Sequence, residues 1–143
     1  MSKIHESFKL INEVNNQQLG QTLYDTLHPK SGARHIHIET PDEENVFMVT
    51  LKTIPKDHTG VAHILEHIAL CGSKNFPVRD PFFMMLRRSL NTFMNASTAN
   101  DHTSYYYASK NKQDFFNLMS VYNDAVFFPN LTEMDFLQEG HRL

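Results

Sequence analysis

The sequence predicts an α+β fold in which an antiparallel-rich sheet is flanked by helices. Three segments within the first 54 residues alternate between apolar and polar side chains or are rich in β-branched residues, which is typical of strands. Four later segments instead carry capping residues or apolar stripes, which are typical of helices. A group of strands followed by segments with helical patterns is characteristic of α+β proteins.

The first part of the chain is interpreted as a lead-in and three strands. Residues 1–18 are polar apart from four apolar anchors, so we expect an irregular or short helical segment there. Strands are predicted over residues 19–28, 33–39 and 46–54. The turn sequence from Pro29 to Gly32 joins the first two strands into a hairpin.

The second predicted strand alternates strictly between two faces. Ile36 and Ile38 point one way and His35 and His37 the other, so the isoleucines are expected to face inward. The two histidines could be a pair of metal ligands on one strand face, but a solvated sheet face explains them more simply.

The next predicted helix carries the pattern H-x-x-E-H between His63 and His67. Residues four apart lie one above the other on the same face of a helix, so two imidazoles in this arrangement can reach one metal ion. Glu66 faces the same side, where its carboxylate can take a proton from a metal-bound water, whose pKa a zinc ion lowers to about 7. The pattern is the inverzincin signature.

The surroundings of this pattern favour a metal site over a chance occurrence. Helical histidines are usually surface or hydrogen-bonded core residues, and a short motif is only a hypothesis. Ile64, Leu65 and Ile68 give the helix an apolar surface, so we expect it to be mostly buried. A buried cluster of two histidines and a glutamate would be costly without a cation to pair it.

The rest of the chain is predicted to add a hairpin and three helices. The elements expected are a helix from Pro81 through Leu90, strands over residues 94–98 and 103–109, a helix over residues 112–127 and another that begins at Thr132. Asp80 and Asn111 are expected to cap the helices that follow them, because their side chains accept hydrogen bonds from free amides. The polar strand at residues 94–98 could bind an extended peptide at a sheet edge, although a hairpin without a ligand is the simpler interpretation.

The composition limits the class of protein. Of the 143 residues, 41% are hydrophobic and 20% charged, which is ordinary for a globular protein. The net charge of −3 and the lack of a long apolar run give no reason to expect nucleic acid or a membrane as partner. Cys71 is expected to pack at a helix end rather than to act as a reactive thiol. The N-terminus has neither an apolar secretory core nor an Arg-rich presequence, so a cytoplasmic location is expected.

The segments from Gly60 to Arg142 are more specific together than the five-residue pattern alone. They are GVAHILEHIALCGSKNFPVRDPFFMMLRRSLNTFMNASTANDHTSYYYASKN, DFFNLMSVYNDAVFFPNL and QEGHR. In this order they resemble the pitrilysin-type (inverzincin) zinc metallopeptidases, and within that family the branch that contains the presequence protease. The resemblance implies a fold of the pitrilysin and LuxS-like metallohydrolase type, in which four such domains form a clamshell that encloses unfolded peptides.

The resemblance also implies roles for individual residues. His63 and His67 match the zinc ligands, and Glu66 matches the general base that activates water. Asn95 and Ala96 match an edge strand whose backbone pairs with the substrate and sets the scissile carbonyl near the metal. A structural role at a turn remains the alternative for Asn95. Zinc is therefore the implied cofactor, and short unstructured peptides are the implied substrates.

One ligand that the family has is missing from the chain. The third zinc ligand of the family is a glutamate in an Asn-Glu motif on a later helix, and no such motif follows His67. Glu133 and Glu139 precede that helix in the family, so the third ligand is expected beyond Leu143. Residues 1–143 are thus predicted to be the N-terminal part of the first, zinc-binding domain of a longer peptidase. Such a piece is expected to be inactive alone and to need the remaining domains as partners. Self-association through its uncovered sheet stays open.

The implied function is a zinc-dependent metalloendopeptidase of short unstructured peptides, and two other functions stay open. A non-catalytic peptide-binding or assembly subunit of the same fold would have no need of an intact H-x-x-E-H pattern. A genuinely 143-residue protein could instead keep the pattern for a structural zinc ion or for no metal at all.

Overall fold

The structure, a computed structural model, describes residues 4–141 and divides between Glu43 and Glu44 into unit 1 and unit 2. Its elements in chain order are β1 (Lys9–Asn16), β2 (Gln21–Leu27), β3 (Arg34–Glu39), β4 (Asn45–Lys52), α1 (Val61–Ala69), α2 (Pro81–Arg88), β5 (Asn91–Thr98), β6 (His102–Ser109), α3 (Lys112–Phe127) and α4 (Glu133–Glu139). Each unit has a three-stranded antiparallel sheet, with strand order β1-β2-β3 in unit 1 and β4-β6-β5 in unit 2. The predicted α+β class with antiparallel sheets flanked by helices is confirmed.

The first strand lies where the sequence predicts an irregular or helical lead-in. β1 pairs with β2 from Lys9 opposite Leu27 to Asn16 opposite Gln21, so four strands rather than three precede the first helix. All eight residues of β1 are exposed. The strand is therefore formed by backbone pairing with β2, and burial imposes no apolar alternation by which the sequence could reveal it.

All six residues of β3 are exposed, so the prediction that its isoleucines face inward is wrong. Ile36 and Ile38 are each 52% exposed, so they do not face inward. On the other face, the ring of His37 stacks on buried Tyr24 with 6.1 Å between centroids, and the ring of His35 lies 6.5 Å from that of His37. Tyr24 is directly opposite His37 in the sheet register. The histidine face is thus the one that packs against aromatic rings within unit 1.

The core of unit 2 lies between its sheet and the helices. β6 is the central strand, and β5 is an edge strand of this sheet within residues 4–141. The buried core consists of Ala69 from α1, Met94 from β5, Tyr105 and Tyr107 from β6, and Leu118 and Tyr122 from α3. One sheet face is therefore covered by α1 and α3, which fixes α1 above β5 and β6.

Of the two predicted helix caps, the structure has the one at Asn111 but not the one at Asp80, and Thr132 is a further cap. Asn111 accepts a hydrogen bond from the Asp114 amide at 3.0 Å, and Thr132 accepts one from the Asp135 amide at 3.2 Å. Asp80 is in the left-handed region with φ of 52° and makes no capping hydrogen bond through its side chain. A capping side chain needs the extended backbone that Asn111 and Thr132 adopt, so the prediction for Asp80 is wrong.

Some element boundaries also differ from the prediction. α2 ends at Arg88 rather than continuing through Leu90, because Ser89 is extended and leads into β5. β5 begins at Asn91, three residues before the predicted strand. Within residues 4–141, no helix is both long enough and apolar enough to span a bilayer.

Candidate metal and catalytic site

Helix α1 is preceded by Gly60, whose left-handed backbone conformation favours glycine. Gly60 has φ of 71°, in the left-handed region, and its carbonyl accepts hydrogen bonds from the amides of His63 and Ile64, both at 3.0 Å. Because this turn starts the helix at Val61, the motif from His63 to His67 lies entirely on regular helix. His63, Glu66 and His67 therefore share one side of α1, as the spacing predicts.

The helix is less buried than the sequence suggests. Glu66, Ile68 and Ala69 are its buried residues, while Val61 is 64% exposed and Leu65 41% exposed. The expectation of a mostly buried helix is wrong, because α1 is covered only where it contacts β5, β6 and α4. The glutamate of the motif is on the buried side.

The two histidines of the motif lie close enough for one metal ion. The centroids of the His63 and His67 rings are 4.9 Å apart, and the ring planes are almost perpendicular. Two imidazoles that each bind one zinc ion at about 2.0–2.1 Å with a tetrahedral angle place their ring centres about 5 Å apart. The pair therefore fits two positions of a zinc site.

One nitrogen of His67 is already engaged by a carboxylate. Its Nδ1 atom is 3.0 Å from Oε2 of Glu139, whose side chain is 8% exposed. The other oxygen, Oε1, accepts a hydrogen bond from Nε2 of Gln138 at 2.9 Å. Nε2 is therefore the His67 nitrogen that can bind a metal, and Glu139 acts as the kind of outer partner that orients a ligating histidine.

The carboxylate of Glu66 is held by a hydroxyl from the sheet. Oγ1 of Thr98, the last residue of β5, donates to Oε2 of Glu66 at 2.6 Å. Glu66 is 6% exposed, and its Oε1 atom has no hydrogen-bond partner among residues 4–141. One oxygen is thus fixed to the protein, and the other can accept a proton.

A cavity of about 500 Å³ adjoins this site and brings together most of the residues that the sequence singles out. Glu66 and His67 line it, together with Asn95 and Ala96 of β5. Its apolar wall consists of Leu70, Phe82, Phe83, Leu86 and Met94. The cavity thus offers an apolar surface beside a carboxylate and an imidazole.

The two residues expected to bind substrate backbone lie on the edge strand. Asn95 is exposed, and its Oδ1 atom accepts a hydrogen bond from the amide of Ala96 at 2.9 Å. The hydroxyl of Tyr122 is 3.4 Å from the carbonyl oxygen of Asn95, to which it donates. The Ala96 amide is therefore occupied by the neighbouring side chain rather than by another strand.

Two groups near the site keep their protons at neutral pH. Burial raises the pKa of the Cys71 thiol to about 12, and the charges of Asp135, Asp80 and Glu139 add to this effect. Burial also raises the pKa of Tyr105 to about 12, with a further contribution from the charge of Glu66. A thiol that is not ionised is a poor nucleophile, which agrees with a packing role for Cys71.

The part of the chain that the structure describes supplies two histidines but not a complete metal site. No group of three or more His, Cys, Asp or Glu side chains within residues 4–141 is arranged to hold a metal ion. This holds for the His35 and His37 pair of β3 as well. A catalytic zinc ion normally has three protein ligands, so the pair of His63 and His67 is one ligand short of such a site.

Sequence reasoning missed Thr98 and Glu139. They lie 32 residues after Glu66 and 72 residues after His67, respectively, and they reach the motif only because β5 and α4 pack against α1. Spacing along the chain carries no signal for such contacts.

Comparisons with a family model and with curated relatives agree on one family of peptidases. The sequence model of the family described as Insulinase (Peptidase family M16) matches residues 54–141. The protein named "Presequence protease, mitochondrial" from Xenopus tropicalis is 54% identical over 134 residues, and its namesake from Danio rerio is 59% identical over 116 residues. The first match covers 93% of this chain and the second 81%, but only 13% and 11% of the relatives, respectively. The chain thus spans about an eighth of the length of these relatives.

Solved structures share the fold. Pitrilysin superimposes with a TM-score of 0.78 and 20% identity, over 94% of this chain and 15% of pitrilysin. A protease from Helicobacter pylori gives a TM-score of 0.67 at 24% identity, over 77% of this chain and 27% of that protein.

The expectation of a cytoplasmic location is wrong. The relatives from both species carry "mitochondrial" in their names, and so does the presequence protease of Gibberella zeae, which is 50% identical over 141 residues. The absence of an Arg-rich segment at the start of this chain is therefore no guide to its location.

Proposed function

Because the chain belongs to the insulinase family of peptidases, family M16, we propose that it is the N-terminal part of the zinc-binding domain of a metalloendopeptidase that degrades short unstructured peptides. The observation that carries the proposal is the placement of two imidazoles and one buried carboxylate on the same side of α1. The names of the relatives support peptide substrates and a mitochondrial location.

His63 and His67 would hold the zinc ion, since their rings have the separation that two ligands of one tetrahedral ion require. When bound, zinc acts as a Lewis acid that polarises a carbonyl oxygen and lowers the pKa of water. The third ligand would come from a residue beyond Leu143. The matches with much longer relatives support this, because most of their length lies outside this chain.

Glu66 is the general base in this proposal. Its Oε2 atom is fixed by Thr98, and its Oε1 atom is left to accept a proton from the attacking water. The carboxylic acid so formed can then return the proton to the leaving amine, which makes Glu66 base and acid in turn. Glu139 keeps His67 in the orientation in which Nε2 is available.

Asn95 and Ala96 would bind the peptide backbone. Both line the cavity beside Glu66 and lie on an edge strand, where an extended peptide can add by main-chain pairing. The amide of Ala96 is bonded to the side chain of Asn95, so the peptide has to displace that side chain or bind to it. The apolar wall of the cavity would favour peptides with a large apolar residue next to the scissile bond.

Replacement of the proposed base tests this function. In the full-length protein, Glu66→Gln is expected to lower peptide cleavage roughly 10²–10⁴-fold, the usual contribution of a general base, while bound zinc is retained. Cleavage of a fluorogenic peptide and the metal content would be measured together. Glu133→Gln is the matched control, because Glu133 is exposed on α4 and the same charge is removed away from the site. Turnover at the wild-type rate in Glu66→Gln would refute the proposed role.

A further inference from the structure

Three threonine hydroxyls form a row across the sheet of unit 2 that ends on Glu66. Thr103 lies on β6, Thr98 ends β5 and Thr53 directly follows β4, so two neighbouring strands and the residue after a third contribute one hydroxyl each. The Oγ1 atoms of Thr53 and Thr103 are 2.8 Å apart, and those of Thr103 and Thr98 are 3.2 Å apart. The last step, from Thr98 Oγ1 to Glu66 Oε2, is 2.6 Å.

Elementary hydrogen-bond chemistry fixes the direction of donation along this row. A hydroxyl has one hydrogen to donate, and an ionised carboxylate only accepts. Thr98 therefore donates to Glu66, which leaves Thr103 to donate to Thr98 and Thr53 to donate to Thr103. All three hydrogens point towards the carboxylate, and hydrogen bonds that run in one direction polarise one another.

The contact with the carboxylate is short and shielded from water. Thr103 is 2% exposed, and Glu66 is 6% exposed. A distance of 2.6 Å lies in the range of a charge-assisted bond between a hydroxyl and a carboxylate, which is roughly twice as strong as a neutral one. Such a bond restricts the rotation of a side chain whose other oxygen has no partner among residues 4–141.

We propose that Thr98 is a positioning residue that holds Glu66 in the orientation for proton transfer. Thr103 and Thr53 would hold the Thr98 hydroxyl in the direction in which it donates to Glu66. The inference rests on the proposed function, since it takes Glu66 as the general base. The strand register places Thr98 opposite Thr103 at the end of β5, so the hydroxyl is presented by a rigid pair of strands rather than by a loop.

The test compares two replacements of Thr98 in the full-length protein. Thr98→Val keeps the shape and removes the hydroxyl, and Thr98→Ser keeps the hydroxyl. The valine variant is expected to lower kcat about 10-fold, a part of the roughly 10²–10⁴-fold contribution of a general base, with KM and zinc content unchanged. The serine variant is expected to retain wild-type kcat.

The matched control is Thr92→Val. Thr92 lies on the same strand, but its hydroxyl donates to Glu44 and not to the motif. The control makes the same chemical change in β5, so its kcat is expected to equal that of the wild type. A similar loss in the control and in Thr98→Val would assign the effect to the strand as a whole and overturn the proposal.

A second readout separates failure of this inference from failure of the proposed function. In crystal structures of the full-length variants, the carboxylate of Glu66 is expected to leave its position in Thr98→Val and to keep it in Thr98→Ser. If the wild type cleaves no peptide, the proposed function is wrong, and the position of this carboxylate still shows whether Thr98 holds Glu66 in place. An unmoved Glu66 in the valine variant, or equal losses of kcat in both variants, overturns it.

A third variant covers the case in which Thr98→Val does not fold. Thr103→Val removes the hydroxyl that donates to Thr98 and leaves the contact between Thr98 and Glu66 in place. Because it acts one step away, kcat is expected to fall by a smaller factor than in Thr98→Val. A wild-type kcat in this variant, with Glu66 unmoved, also overturns the proposal.

Discussion

Glu139 lies 72 residues from His67 in the chain, yet its Oε2 atom is 3.0 Å from Nδ1 of that imidazole. The carboxylate fixes the plane of the ring and the nitrogen that remains for the metal. Mutation of an outer partner of this kind typically lowers metal affinity or activity by roughly 10–100-fold. The contribution of Glu139 should therefore be visible in zinc binding itself.

We predict that Glu139→Ala lowers the zinc affinity of the full-length protein by about 10–100-fold, because His67 loses the partner that orients it. Competition with a chromophoric chelator measures the affinity without any need for activity. Glu133→Ala removes an exposed carboxylate from the same helix and should leave the affinity unchanged. An unchanged affinity in Glu139→Ala would mean that the helix alone orients the ring.

The sequence allowed the three residues of the motif to be predicted but not their partners. His63, Glu66 and His67 share one helix, so the period of the helix determines which side they face. Thr98 and Glu139 reach the motif through the packing of β5 and α4 on α1, and that packing depends on many side chains at once. Asn95 and Ala96 were found only through family resemblance, and their binding role stays a prediction.

At the scale of elements, the start of α1 depends on the left-handed backbone of Gly60. A Cβ atom there would meet no other atom within 4 Å, so the cost of a side chain is conformational rather than steric. An L-residue in this region costs roughly 1–2 kcal/mol. A variant that relieves this backbone strain would start α1 at a different residue, and His63 would then shift.

We predict that Gly60→Ala lowers the zinc affinity of the full-length protein, because relief of the strain shifts the first turn of α1. Gly32→Ala is the matched control: Gly32 has the same φ of 71°, also has open space around it, and lies in unit 1. Both variants are expected to lose about 1–2 kcal/mol of local stability, but only Gly60→Ala should weaken zinc binding. Equal zinc affinities of the two variants would contradict the prediction.

The helices and strands also differ in how well they could be predicted from the sequence. The cap at Asn111 and the helices near Asn111 and Thr132 were predicted, because capping acts over three residues. β1 was missed, since a fully exposed strand has no apolar alternation. The isoleucines of β3 were predicted to face inward, but every residue of this strand is exposed and the ring contact with Tyr24 is made by His37.

At the scale of the whole molecule, unit 2 leaves one sheet face open. Val46 and Met48 of β4 are 69% and 62% exposed, and Phe93 of β5 is 52% exposed. They lie on the face opposite the core, where the ring of Phe93 stacks on Tyr106 with centroids 5.8 Å apart. Contiguous exposed apolar side chains of this kind are typical of surfaces that bind other protein molecules.

We predict that residues 1–143 expressed alone self-associate through this face, because no element of unit 2 within residues 44–141 covers it. Light scattering after size-exclusion chromatography would show species larger than the monomer. Val46→Lys with Met48→Lys should restore the monomer, since charged side chains on a strand face oppose association. As a control, Ile36→Lys with Ile38→Lys places the same charges on β3 in unit 1. A monomeric wild-type fragment would contradict the prediction.

The threonine row has a consequence for how the metal and the fold depend on each other. Its members come from β5, β6 and the residue after β4, and Glu66, which they contact, lies on a helix beside the two imidazoles. None of these groups is in place until the hairpin and the helix have docked. Ion affinity is then linked to the free energy of folding, so a chain that has lost its ion is also easier to unfold around α1. Proteases that degrade partly unfolded proteins would thus act on the apo form first.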